Sequence, residues 1–472
     1  MSLSREFAAF VSALQFEDLP AAVVDRAKGV TLQALSSALV AHDMPATKQA
    51  LAIMREEEAG GAGVATALCA GERFTKAGAA FVNAEMILAG GKWDTFRMLT
   101  HPGIAIMPAA LAAAEITGCS GKTFLTAIAA AYEVMERMAS EFIPTVMSRG
   151  FHSGPVFGIF GAAVAAAKIQ GLNADQINGA IAQCVNLASG NLEGIRSGGK
   201  SLREGGAVRN ALLAVALAKH GTPGGATTLE GEAGFYHSYV GNNLGQLRYS
   251  FTGLNRTDLA KITEGLGKDW MLLETLYRIY STAGYNIAHV DVTAKLCEEH
   301  GIRYADIERI EAVVNWLETL YPSPAFPVRV IENPPPLGST QYFSAYGAAT
   351  GGYPLLRGGA PAPGETDPPE VLDLMNRVTL IPMAHRTLFG PRVTVFTKDG
   401  RSFTREGTGR EFIWDFETEA KRISPIVPGL AISPERFARL VDACRTLEQH
   451  DGAGNRLITL TIPSYPAGGI IR

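Results

Sequence analysis

Three polar stretches interrupt otherwise apolar segments of this chain, and they hold most of its chemically capable side chains. KWDTFRMLTHPG brings Asp94, Thr95 and His101; RGFHSG brings Arg149 and His152; RSGGKSLREGG brings Arg196, Lys200 and Arg203. Arginine grips a carboxylate with two parallel hydrogen bonds, while a histidine or lysine of tuned pKa moves protons beside it. Together these residue types suit a small carboxylic acid that gains or loses a proton. Any one of them alone reads as easily as a cap or a surface residue.

The elements that would position these loops are helices. Arg149 to Gly171 turns from charged residues into a run of Gly, Ala, Val, Phe and Ile with no charge between Pro155 and Lys168. Such a run is stable only with other helices packed closely around it. Its start is then the positive end of a buried helix, a favourable place for an anionic ligand beside Arg149 and His152. Further helices are expected at about 46–58, 75–89, 103–116, 120–142, 173–189 and 207–219, with an approximate capping box at Asn173 and Gln176. No strand periodicity appears in this part, which reads as all-α.

The pattern changes from about Trp270. Residues 310–321 are partly β-branched and alternating, 377–382 read as a strand, and 392–404 as a hairpin about Asp399-Gly400. Beyond Gly407 the chain is helical again, with Ser433 and Pro434 opening an amphipathic helix. The expected fold is mostly α. A large helical domain comes from 1–267 and 405–472, and a smaller α+β lid domain from 268–404.

Composition limits the function. The chain has 472 residues, 47% of them hydrophobic and 19% charged, so much of its surface must be covered and a subunit interface is expected. A net charge of -4 without a basic block gives nucleic-acid binding no electrostatic support. Five scattered cysteines form no ligand spacing and read as reduced core residues of a cytoplasmic protein. The N-terminus lacks the pattern of a signal peptide, and no window is apolar enough for a membrane span.

GIRSGGKS at 194–201 matches the phosphate-loop pattern G-x-x-x-x-G-K-[ST]. That motif needs a strand before it and a helix directly after it. Here the preceding stretch reads helical, and Gly205-Gly206 are expected to break any helix starting at Lys200, so nucleotide hydrolysis is disfavoured. No HExxH, Cys/His cluster or G-x-S-x-G occurs, and metal independence is the expectation.

AFVNAEMILAGGKWDT…HPGIAIMPAALAAAE, RGFHSGPVFGIFGAAVAAAK, GGKSLREGGAVRNALLA and LEGEAGF, in this order, resemble the MmgE/PrpD family. That family contains 2-methylcitrate dehydratase, cis-aconitate decarboxylase and iminodisuccinate epimerase. The resemblance implies a helical domain from both chain ends, an α+β lid, a homodimer, and no metal or organic cofactor. It matches His101, His152, Lys200 and the lid tyrosine Tyr346 to family positions. It also exposes departures. The family's acidic loop, H-A-x-D-F-D-D-T, reads Leu88 to Thr95 here and keeps only Asp94 and Thr95, with Gly91, Lys92 and Trp93 altered. A lid histidine becomes Ile287, with His289 two residues along, and K-x-L-H ends in Arg203.

The resemblance implies proton transfer at a carbon α to a carboxylate, through an enolate-like state stabilised by cations. The expected catalytic set is His101, Lys200, His152, Asp94 and Tyr346. Thr95, Arg149, Arg203, Tyr285 and His289 are expected to bind substrate. The expected activity is a cofactor-independent lyase of the dehydratase type acting on a di- or tricarboxylate. Epimerase or decarboxylase activity is the alternative, and a non-catalytic binding homologue is the reading from another class.

Overall fold

Ser153–Ile169 form one helix in which every side chain but that of Lys168 is buried. Lys168 lies at its last turn, where Nζ donates to the carbonyls of Leu14 at 2.6 Å and Ser12 at 3.2 Å. Small residues along the helix let its neighbours approach. A Cβ on Gly158 would lie 2.9 Å from that of Ala105, and one on Gly161 would lie 2.8 Å from the Ile106 side chain. The computed structural model describes residues 2–59, 61–196, 203–279, 282–320, 323–324, 334–352 and 367–463.

The helices before residue 250 are α1 (Leu3–Ala13), α2 (Ala21–Val40), α3 (Pro45–Glu57), α4 (Lys76–Gly90), α5 (Pro102–Thr117), α6 (Gly121–Ala139), α7 (Ile143–Ser148), α8 (Ser153–Ile169), α9 (Ala174–Leu187), α10 (Arg203–Lys219) and α11 (Phe235–Val240). α12 (Gly284–His300), α13 (Thr340–Thr350) and α14 (Pro369–Leu374) follow, and α15 (Phe416–Ile423), α16 (Pro434–Arg445) and α17 (Ala453–Thr461) end the described chain. The expected capping box at Asn173 is present, with both reciprocal bonds formed. The Ser433 side chain caps α16, with Pro434 as its first residue.

Both chain ends build the larger, helical part. Gly121 N donates to the His450 carbonyl at 2.8 Å, Lys28 pairs with Glu448 at 2.7 Å, and Phe416 N donates to Asp25 at 2.9 Å. Core residues of α15 to α17, among them Phe416, Leu440 and Leu457, lie in one apolar cluster with those of α1 to α11.

The smaller α+β part has its own core. A four-stranded sheet runs in the order β6 (Val378–Met383), β5 (Ile307–Asn315), β7 (Arg392–Thr397) and β8 (Ser402–Glu406). β5 pairs parallel with β6 and antiparallel with β7. The parallel step needs a long crossover, and α13 and α14 lie on it. Ile310, Val314, Val393 and Val395 pack there with Val290, Leu296, Phe343 and Val371. The β7–β8 hairpin turns at Asp399-Gly400, where Gly400 has φ +86°.

Two expectations need correction. The helical part is not free of strands: β1 (Ala65–Thr66) pairs with β2 (Arg73–Phe74), and β3 (Trp93–Thr95) pairs with β4 (Leu276–Arg278). Strands of two or three residues are too short to show an alternating pattern. Nor do Gly205 and Gly206 break a helix, since α10 starts at Arg203 and runs through both. Gly205 is needed there, because a Cβ would lie 2.6 Å from the Phe81 ring and 2.7 Å from Glu85 Oε1. Before the GKS sequence, which lies outside the described residues, come helix α9 and a 3-10 turn at Leu192–Arg196 rather than the strand that a phosphate loop needs.

Gly121→Ala tests the junction of the chain ends. A Cβ there would overlap the Leu447 carbonyl oxygen, a backbone atom with no rotamer to yield. The variant should lose about 1–3 kcal/mol or more of stability, as overpacking does. Equilibrium denaturation unchanged from wild type would show that this contact is not close.

Candidate active site

The N-termini of α5, α8 and α10 meet at one end of the helical part. His101 is the N-cap of α5 and His152 the N-cap of α8. Thr100 Oγ1 donates to Ser153 Oγ at 3.0 Å, and Ser153 Oγ donates to the Leu99 carbonyl at 3.0 Å, so the first two starts are bonded side by side. Near each start lies a buried carboxylate of the chain itself. Both Asp94 oxygens accept from Gly103 N, at 2.9 and 3.1 Å, and Glu85 Oε1 accepts from Gly205 N at 2.8 Å. A Cβ on Gly154 would overlap Glu204 Oε1. The N-terminus of α8, expected to be open to an anionic ligand, therefore has Glu204 beside it and its Gly154 amide taken by His152.

The two histidines are fixed in opposite tautomers. His101 Nδ1 lies 2.9 Å from the Asp94 carbonyl, which can only accept, so Nδ1 carries the hydrogen and the lone pair of the neutral ring sits on Nε2. Thr95 Oγ1 is 3.2 Å from the same nitrogen. At His152 the Gly154 N–H donates to Nδ1 at 3.0 Å, which leaves the hydrogen of the neutral ring on Nε2. One neutral ring has its lone pair on Nε2, where it can accept a proton, and the other has a hydrogen-bond donor there.

Asp94 holds this arrangement through both backbone and side chain. Besides the two Gly103 contacts, its carboxylate accepts from Tyr132 Oη at 2.5 Å. Burial pushes the Asp94 carboxyl up to about 6, against the opposing pull of the Tyr132 and Gly103 bonds and of the Arg278 charge. Burial also pushes Tyr132 far above its ordinary value, so it remains the donor of the pair.

β3 and β4 bring a further cation to this end. Trp93 faces Arg278 across the pair, with the guanidinium 4.1 Å from the indole centroid. The same indole lies 4.6 Å from the His101 ring. Lys92, next in the strand connection and almost wholly buried, has its amine lowered to about 8, by burial first and by the Arg278 charge second. A tight crevice opens here, lined by Thr95, His101, Arg278, Tyr285, Phe389 and the 97–99 turn. Its accessible space is about 10 Å³, room for about one water.

Strain concentrates at the same place. Among the described residues, four that are not glycine have positive φ, and Arg97, Leu99 and Phe389 of these line the crevice. Each such conformation costs on the order of 1–3 kcal/mol and persists where its surroundings impose it.

The expected residues divide. Asp94, Thr95, His101 and Tyr285 meet at or beside the crevice, and His152 stands one helix away. Arg149 is exposed, donates to the Ser238 carbonyl at 3.2 Å and lies against the last turn of α11, a favourable place for a cation. His289 is wholly buried between α12 and α13 with Nδ1 at 3.0 Å from Ser344 Oγ, and burial lowers it to about 3, so it stays neutral. Tyr346 lies against Tyr342, with ring centroids 5.8 Å apart and planes tilted by 54°, and packs against the core of the smaller part. None of these three lines the crevice. Lys200 lies outside the described residues; Arg203 begins α10, but its side chain is not described.

The MmgE/PrpD N-terminal domain matches residues 5–246, just over half of the chain. The chain belongs to the MmgE/PrpD family. It is 27% identical over 318 residues to a cis-aconitate decarboxylase-like protein of Aspergillus oryzae, covering 64% of this chain and 63% of that one. It is 26% identical over 305 residues to cis-aconitate decarboxylase of Aspergillus terreus, covering 62% and 60%, and 33% identical over 169 residues to the human enzyme of that name, covering 34% and 35%. The chain thus spans less than two thirds of the length of these relatives.

Arg278, Tyr132, Glu204 and Phe389 are the residues that sequence reasoning missed. Arg278 sits in a three-residue strand whose pairing with Trp93 no local pattern reveals. Trp93 itself stood out only as an aromatic in a loop that is acidic in the family, and its role here is to separate a cation from a histidine. Among the described residues no group of three or more His, Cys, Asp or Glu is arranged to hold a metal, and no helix is long and apolar enough to cross a membrane.

Asp94 gives the site a pH signature. Its carboxyl is raised from 3.8 to about 6 in the fold, so the stabilisation from holding this proton is complete below about 3.8 and lost as pH rises through about 6. Asp94→Asn cannot titrate. The stability of wild type relative to this variant should therefore shrink between about pH 4 and about pH 7, read from thermal melts. A constant difference across that range would show that the carboxyl is not perturbed by burial.

Proposed function

We propose that this protein is a lyase that acts on a small di- or tricarboxylate by proton transfer at the carbon α to a carboxylate, without a cofactor. The observation that carries the reading is the pair of opposite tautomers at adjoining helix starts. His101 Nε2 takes the α-proton, and the resulting enolate-like charge lies beside Arg278. His152 Nε2–H donates a hydrogen bond to that charge, and the His101 imidazolium returns the proton. Arg278, held over the Trp93 ring and unable to lose its charge, replaces Arg149 as the grip on one substrate carboxylate. Lys200, outside the described residues, and Lys92, whose amine titrates near 8, are further proton carriers in this reading. The smaller α+β part serves as the cover, through Tyr285 and Phe389 instead of Tyr346 and His289.

The family match and the carboxylate chemistry named in its relatives support this class of reaction. The fate of the intermediate separates two outcomes. Loss of water is the outcome favoured by the resemblance to dehydratases. Loss of carbon dioxide is the second reading, because the relatives it matches are named cis-aconitate decarboxylases.

Incubation with a panel of di- and tricarboxylates in D₂O tests the common step. Solvent deuterium should enter the α-position, with release of carbon dioxide marking decarboxylation and a new conjugated absorbance marking dehydration. Exchange with inversion and neither of those products would mark an epimerase. His101→Ala should cost at least about 100-fold in rate, the scale of general acid/base contributions. A loss of less than about threefold, far below that scale, would remove His101 from the reaction.

A further inference from the structure

The crevice lining mixes polar residues, Thr95, Arg97, His101 and Arg278, with apolar ones, Met98, Leu99, Ala283 and Phe389. Only Phe389 arrives from the connection between β6 and β7, yet its ring belongs to the core of the helical part rather than to that of the sheet. It stands opposite Gly284. A Cβ on that glycine would lie 3.7 Å from the Phe389 ring and 3.5 Å from Thr95 Cγ2, so ring, glycine and threonine close on one another at van der Waals distance.

A buried acid, its carboxyl pushed up to about 8 by burial, holds the Phe389 backbone there. Glu318, in the turn after β5, accepts from Phe389 N at 2.8 Å through Oε1, and its Oε2 is buried without a partner among the described residues. Asn315 Nδ2 holds the Arg386 carbonyl at 2.6 Å, and Arg386 Nε holds the Gly390 carbonyl at 2.6 Å. The connection is tied on both sides of Phe389, and the residue between the ties takes φ +60°. A side chain forced into a left-handed backbone to reach a crevice wall points to a task at that wall.

We propose that Phe389 determines the substrate specificity of the crevice: its ring, fixed by Glu318, limits the substituent that a bound acid can carry on the carbon next to its carboxylate. This rests on the reading of the crevice as the active site. The crevice holds about one water as it stands, so an acid enters only as it widens, and the favoured ligand is a compact acid with its carboxylate on Arg278 and little or no alkyl group toward Phe389. An alkyl chain at that carbon collides with the ring and forces the Glu318 latch open.

Calorimetric binding of succinate, methylsuccinate and butylsuccinate tests the proposal, with thermal melts to establish that each variant is folded. Wild type should prefer succinate to butylsuccinate. Phe389→Ala should raise the butylsuccinate-to-succinate affinity ratio by at least about 10-fold, the lower end of what a few methylenes contribute in an apolar pocket. Phe389→Leu should shift it less, in the same direction, and serves if the alanine variant does not fold. Glu318→Ala should move the ratio as Phe389→Ala does, whereas Glu318→Gln keeps an acceptor for the Phe389 amide and should retain the wild-type order. Binding that Arg278→Ala abolishes but Phe389→Ala and Phe389→Leu leave in the same order, within about twofold, overturns this proposal alone. Failure of wild type to bind any member, or binding that Arg278→Ala leaves intact, overturns it together with the reading of the crevice.

Discussion

Everything at the candidate site depends on how Asp94 is held. Its carboxylate ties the first turn of α5 through Gly103, its carbonyl fixes the His101 ring, and Tyr132 reaches it from α6. A carboxylate out of water is costly unless its oxygens are met by donors, and here backbone and phenol supply them. Glu85 repeats the arrangement at α10. Orphan N–H groups at buried helix starts need acceptors, and buried acids need donors. Each need satisfies the other, and the histidines inherit fixed positions from that exchange.

The two apolar cores divide at α12. Tyr285 and Ile287, in its first turn, pack with the helical part, while Val290, Val292 and Leu296 pack with the sheet. One helix therefore belongs to both. β4 comes earlier in the same segment and is hydrogen-bonded to β3 beneath the crevice. A stretch that reads as the start of a separate region thus completes the site wall through Arg278 and anchors the smaller part to the larger. Phe389 makes the return contact from the connection between β6 and β7. The crevice sits where these two contributions meet.

Much of the helical part was legible because its signals are local. Thr75, Ser120, Asn173 and Ser433 cap helices with their side chains, and small residues in α5 and α8 announce close packing. The hairpin at Asp399-Gly400 was readable for the same reason. What escaped was non-local. Pairing between residues 93 and 278 cannot be read from either stretch, so a cation at the site went unseen while the exposed Arg149 was given its role. His289 misled because a histidine near a family position carries no sign of whether its surroundings are wet or dry. The glycines of REGG looked like breakers because their neighbours across the helix interface, Phe81 and Glu85, lie far away in sequence.

Trp93 is clamped between a permanent cation and a titratable ring, 4.1 Å from one and 4.6 Å from the other. An indole in that position is an optical instrument as well as a spacer. A protonated imidazole draws electron density from an excited indole, so a proton gained by His101 is expected to dim emission from Trp93.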